Sequence, residues 1–167
     1  MKSILLSLCI FLLGANLFGK DVAKNKIQFL VEENFISLND EPLQATLSEE
    51  YYVKVLGQYN LKENRPDGLY YTWDQLGIKV KEDPASKQIN QISIYLTAGG
   101  TSTTKSPFKG KLTIMGKSLS SSASPSAWKN ELICQQIFCA FKMDNQTVVT
   151  NLTSDQKKFQ YVQITLP

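Results

Sequence analysis

The chain has 167 residues, a formal charge of +3, 43% hydrophobic residues and no histidine. The missing imidazole removes the commonest general base, the usual nucleophile triads and most zinc sites in one step. The positive charge is almost all lysine, with Arg65 the single arginine, which speaks against a nucleic-acid-binding face.

The N-terminus reads as an export signal. Lys2 supplies the positive start, and Ile4 to Leu13 form an apolar run shorter than the roughly 20 residues of a membrane-spanning helix. Small residues follow at Ala15 and Gly19, so cleavage is expected after Gly19, although Leu17 is bulky for the third position before a cut. Cys9 follows Leu8 inside the apolar run, where lipid attachment does not fit, and a plain secretory signal over residues 1–19 is the expectation. Removing it leaves 148 of the 167 residues, enough for one domain, 20–167, with its own core. No later run is long and apolar enough to cross a bilayer, so a periplasmic or secreted chain with no membrane contact is expected.

Ile27, Phe29 and Val31 alternate as a first strand, with Phe35 to Leu38 as its partner after a turn at 32–34. Asn39-Asp40-Glu41-Pro42 marks a second turn, and Leu43 and Gln44 can return as a short strand. Thr46 and Glu49 have the spacing of a capping box, and Leu47, Tyr51, Tyr52, Val55 and Leu56 form one stripe, predicting a helix over about 47–56 that Gly57 stops. Glu49 and Glu50 suit the first turn of a helix better than an acid/base pair. Tyr59 to Asp67 reads as a polar loop closed by the turn Arg65-Pro66-Asp67-Gly68.

The aromatic strand Leu69 to Trp73 follows, with Leu69, Tyr71 and Trp73 on one side and Tyr70 and Thr72 on the other. Asp74-Gln75-Leu76-Gly77 reverses the chain into Ile78 and Val80, with Lys79 and Lys81 expected to face water. Gln91 to Leu96 makes another strand with Ile92, Ile94 and Leu96 inward, and sequential pairing favours an antiparallel sheet. After the Gly/Ser/Thr loop Ala98 to Pro107, residues 108–117 alternate, with Phe108, Gly110, Leu112, Ile114 and Gly116 opposite Lys109, Lys111, Thr113, Met115 and Lys117. Residues 118–124 read as loop, and Ser124-Pro125 as the cap and first turn of a short helix over about 125–134. Phe138 to Met143, Thr147 to Leu152 and Phe159 to Leu166 complete the chain as strands, the last with Val162, Ile164 and Leu166 on one face and Phe159 and Tyr161 on the other. Both faces being apolar suggests an interior strand. The fold class is therefore α+β, mainly antiparallel sheet with two helices.

Cys134 and Cys139 remain after cleavage, in a compartment where disulfides form. A structural disulfide is the expectation and two buried thiols the alternative, since a redox pair ordinarily has two residues between its cysteines. No metal or cofactor site is legible. Ser-x-x-Lys occurs at Ser102 to Lys105, at Ser126 to Lys129 and at Ser154 to Lys157, which in a chain rich in serine and lysine signals coincidence. Asp67 and Asp74 flank the aromatic strand and could be pictured as hydrolase carboxylates, but both sit at turns, where aspartate ordinarily bonds backbone amides. Tyr71 and Trp73 could line a ligand cup, but aromatics at strand spacing ordinarily fill a core.

Tyr71-Thr72-Trp73-Asp74-Gln75-Leu76-Gly77-Ile78, followed by Phe108-Lys109-Gly110-Lys111-Leu112-Thr113-Ile114-Met115-Gly116, resembles an uncharacterised bacterial exported domain. That domain carries a Tyr-x-Trp-Asp-x-x-Gly-Ile hairpin and a Phe-x-Gly-x-Leu-x-Ile-x-Gly strand, and the resemblance covers about residues 35–117. It is similar to immunity partners of secreted antibacterial toxins, which implies a non-enzymatic protein that binds another protein. Lys105, Lys109, Lys111, Lys117 and Tyr70 are the candidate contact residues, and Tyr71, Trp73, Asp74 and Gly77 the structural ones. A lysine face would suit an acidic partner. A small-ligand carrier and a carboxylate hydrolase are the alternatives.

Overall fold

The computed structural model describes residues 24–98 and 104–166. The expected signal segment and Ser102 lie outside that range.

Two β-sheets share one apolar core. Ile27, Phe29 and Val31 point inward around β1 (Gln28–Glu32), and Ile36 and Leu38 do so from β2 (Phe35–Leu38). Asn39 and Asp40, both at positive φ, complete the reversal by themselves, so the short return strand is β3 (Glu41–Pro42), earlier than expected. Helix α1 (Glu49–Leu56) buries Tyr52 and Leu56.

The helix begins later than the Thr46 spacing suggests, and the capping box does not form. The Leu47 carbonyl accepts from the Ile89 amide of the neighbouring strand, which holds Thr46 and Leu47 outside the helix, and Ser48 becomes the N-cap. Gly57 ends the helix at φ 80°, as its position implied.

The supposed polar loop contains a strand, β4 (Leu61–Arg65), hydrogen-bonded to β5 (Gly68–Trp73) across the Pro66-Asp67 turn. It has no apolar alternation because it is an edge strand that faces water. From β5 the chain meanders through β6 (Ile78–Glu82) and β7 (Ile89–Tyr95). It then crosses to the smaller sheet as β8 (Lys111–Ile114), which pairs parallel to β1 with Phe29 opposite Leu112. The alternation across 108–117 is broken by a tight turn. Met115 and Gly116, at φ 50° and 73°, reverse the chain into β9 (Lys117–Leu119), so Lys117 belongs to a different strand from Lys111.

The second helix is not formed. Pro125–Trp128 make a single 3-10 turn, and β10 (Leu132–Gln135) forms a hairpin with β11 (Phe138–Phe141) that the Cys134–Cys139 disulfide ties across the register. Cross-strand pairing and the covalent tie override the helical signal of Ser124-Pro125. β12 (Thr147–Leu152) and β13 (Phe159–Thr165) follow, and β13 lies between β12 and β7 as the interior strand expected. The larger sheet runs β10-β11-β12-β13-β7-β6-β5-β4, all antiparallel, and the smaller β3-β2-β1-β8-β9.

One facing in β13 differs from the alternation. Asn151 pairs with Tyr161 but Leu152 with Phe159, leaving Gln160 as an extra residue. Its carbonyl accepts from the amides of Leu96 and Thr97. The bulge turns Phe159 inward beside Val162 and Ile164, where it meets Trp128 edge-on.

Candidate functional site

Since Tyr71, Trp73, Ile78 and Val80 fill the core, the pleat sends Tyr70, Thr72, Lys79 and Lys81 to the outer face of the larger sheet. There Tyr70 is the centre of a charged cluster. Its hydroxyl donates to Asp67 (2.5 Å), and its ring lies 4.9, 5.4 and 5.8 Å from Arg65, Lys79 and Lys81. Lys81 also reaches Asp67 (3.0 Å), while Arg65 (3.1 Å) and Lys79 (3.5 Å) share Glu63. Three cations meet two carboxylates, so the cluster is electropositive.

Lys79 does not face water as its strand position suggested. It is 5% exposed, lying under its neighbours in the cluster, and burial followed by the Arg65 charge lowers its pKa. Burial and then the bond to Asp67 push the Tyr70 phenol up to about 12. That same bond, helped by Lys81, holds the Asp67 carboxyl below the ordinary range.

Asp67 and Asp74 occupy opposite ends of β5. At about 3.3 Å per residue their Cα atoms lie about 23 Å apart along the strand. Glycosidase carboxyl pairs sit within about 10 Å. Asp74 is 7% exposed, its Oδ2 is 3.5 Å from Lys105, and its backbone amide donates to Asn60. Among the described residues no turn amide donates to its carboxylate, whose Oδ1 is buried without a hydrogen-bond partner, and its backbone carbonyl accepts from the Ser106 amide. Gly77, at φ 70°, lets this turn pass against the backbone of Pro107 and Phe108.

The expected lysine face is divided among separate places. Lys105 pairs with Asp74, and Lys117 with Glu131 while lying 5.6 Å from the Trp128 ring. Lys109 and Lys111 are exposed near the start of β8.

Across the same outer face the character changes. Tyr95 and Tyr161, register partners on β7 and β13, contact at 5.8 Å between ring centroids. Beyond them Val149, Ala140 and Phe138 lead to Ile133 and enclose a depression of about 420 Å³. Ile133 and Phe138 are 64% and 59% exposed, on the hairpin stapled by Cys134–Cys139. Sequence reasoning missed this patch because it placed Ile133 in a helix. The available signal was the five-residue cysteine separation, which suits a hairpin closed across its register.

Residues 28–129 match the family described as a domain of unknown function, DUF7738. The chain belongs to that family. No curated protein and no solved structure matches it.

The DUF7738 segment takes in β1 to β9, α1 and the charged cluster, whereas β10 to β13 with the apolar patch lie beyond the matched residues. A buried pair that the strand pattern alone did not reveal also falls within DUF7738. The Tyr71 hydroxyl donates to Glu82 (2.8 Å), and burial together with this bond holds the phenol well above its ordinary range. Lys62 lies 4.9 Å over the Tyr71 ring, and Tyr59 packs against both Tyr71 and Trp73. With Tyr71 and Trp73 each 1% exposed, the aromatic hairpin of this chain is core.

Proposed function

We propose that this DUF7738 chain is an exported, non-catalytic binding protein that holds a protein partner against the outer face of its larger sheet. Its specific form would be an immunity protein that occludes a secreted antibacterial toxin. The observation carrying this reading is the pair Ile133 and Phe138, large apolar side chains left mostly in water on a disulfide-tied hairpin, beside a depression continuous with Tyr161. Contiguous exposed apolar groups on a rigid element mark contact sites, and aromatic anchors supply most of the energy of such contacts. The electropositive cluster at Tyr70, on the same face, adds steering toward an acidic partner.

The test has two arms. A photo-crosslinking residue at position 138, in cells that make the chain, should form a covalent adduct with one protein, and co-expression should protect cells from an exported toxin encoded nearby. Phe138→Asp should abolish protection while the chain still accumulates. Absence of any protein adduct would sink the binding reading, and an adduct without protection would remove the immunity form.

A further inference from the structure

Among the four strands that end the two sheets, β10 is unlike the others. β4 carries Lys62, Glu63 and Arg65, β3 is two residues long and includes Pro42, and β9 is three residues long and starts at Lys117. Charge, proline and shortness are the devices that keep an open edge from pairing with another chain. β10 reads Leu-Ile-Cys-Gln, with neither charge nor proline.

Its backbone is oriented for pairing. The amide of Lys142 donates to the carbonyl of Glu131 (2.8 Å), which makes these two a hydrogen-bonded pair. Antiparallel pairs alternate, so Ile133 and Ala140 bond each other. Leu132 and Cys134 then turn their N–H and C=O groups to the open edge. Cys134 and Cys139, with Cα atoms 4.0 Å apart, fit the closer, non-bonded kind of pair.

Both faces of this edge are hollow. On the outer side is the apolar depression of about 420 Å³ beside Ile133, Phe138 and Val149. On the inner side a second, of about 380 Å³, is lined by Leu132 and Leu152 and by Pro125, Lys129 and Gln156. Cys134 borders both. A strand laid along the edge would send successive side chains to alternate faces.

We propose that β10 accepts an extended strand from a protein partner, with apolar side chains entering the outer depression and acidic ones meeting Lys129 in the inner one. This rests on the binding reading above and names the kind of partner segment. A second copy of the chain fits less well, since its own β10 offers no carboxylate to Lys129.

The test is selection of displayed random heptapeptides on the oxidised full chain. Enriched peptides should alternate apolar residues with Asp or Glu. Their affinity should fall at least tenfold on Ile133→Lys, and Lys129→Glu should shift the preference toward Lys-containing peptides. Both positions are exposed, and unchanged thermal melting checks that the variants fold; Phe138→Ser replaces Ile133→Lys if that variant does not. Peptides without alternation, or binding indifferent to these substitutions, would overturn the proposal. So would no enrichment at all, binding of anionic phospholipid vesicles in place of peptides, or a dimer that Ile133→Lys dissolves. A crosslinked partner at position 138 alongside failed selection would leave the binding reading standing and remove this one.

Discussion

The indole N–H of Trp73 donates to the carbonyl of Gly57 at 2.7 Å, joining the aromatic hairpin to the end of α1. The ring is 1% exposed, so this bond is made inside the core, where an abandoned carbonyl is costly. Trp73→Phe should lower stability by about 2–4 kcal/mol, from the lost bond and the vacated volume, in a denaturant titration. A cost under about 1 kcal/mol would show that the hairpin is not held to the helix in this way.

Two glycines at nearly the same φ separate strain from collision. A Cβ on Gly77 would lie 2.4 Å from the Phe108 amide nitrogen and 2.8 Å from the Pro107 carbonyl carbon, whereas one on Gly116 meets nothing within 4 Å. Gly116→Ala should cost about 1–2 kcal/mol of left-handed strain, and Gly77→Ala about 3 kcal/mol or more, since backbone cannot step aside. Equal thermal shifts in the two variants would refute the close approach.

Lys79 and Glu63 form an asymmetric pair, 5% and about a third exposed respectively, and Glu63 keeps Arg65 as a second partner. Lys79→Met should therefore be neutral or stabilising by about 1 kcal/mol. Glu63→Gln should destabilise by about 1–3 kcal/mol, because it leaves a buried ammonium without its carboxylate. Chemical denaturation of both variants distinguishes this order from its reverse.

Removing the disulfide as Cys134→Ala with Cys139→Ala should cost about 2 kcal/mol, a small-loop value. The loss should be local, with amide exchange rising in β10 and β11 while β7 and β13 stay protected, because Trp128 still packs on both Phe141 and Phe159. Uniform loss of protection would contradict that.

Alkaline pH should unfold the chain through its tyrosines. Tyr51 and Tyr70 are pushed up to about 12, burial being the first cause in each, and Tyr52 and Tyr71 are raised as well. With folded values above the ordinary value of about 10, their contribution is complete below about pH 10 and is lost as pH rises through 12. Lys79 acts oppositely, because its lowered pKa relieves a burial penalty as pH climbs toward its ordinary value. Denaturation midpoints from pH 8 to pH 12, followed with phenolate absorbance, should be level and then fall, and Tyr70→Phe should soften the fall.

Much of the fold was legible because it depends on neighbours in the chain. Alternation marked β1, β5, β6 and β7, Gly57 marked the end of α1, and Gly77 and Pro66-Asp67 marked turns between strands. The candidate site was scarcely legible. Tyr70 could be placed on an outer face, but Arg65 and Glu63 reach it from β4, a mostly polar strand visible only through its bonds to β5.

By itself the amino-acid order determined which side chains are apolar, several of the places where the chain reverses, and that Cys134 and Cys139 could meet. The tertiary structure alone decided the parallel pairing of β1 with β8, the Gln160 bulge that turns Phe159 inward, and the burial of Lys79. These depend on partners far away in sequence. A local pattern reports what a residue prefers, whereas register and burial are set by whichever strand finally lies beside it.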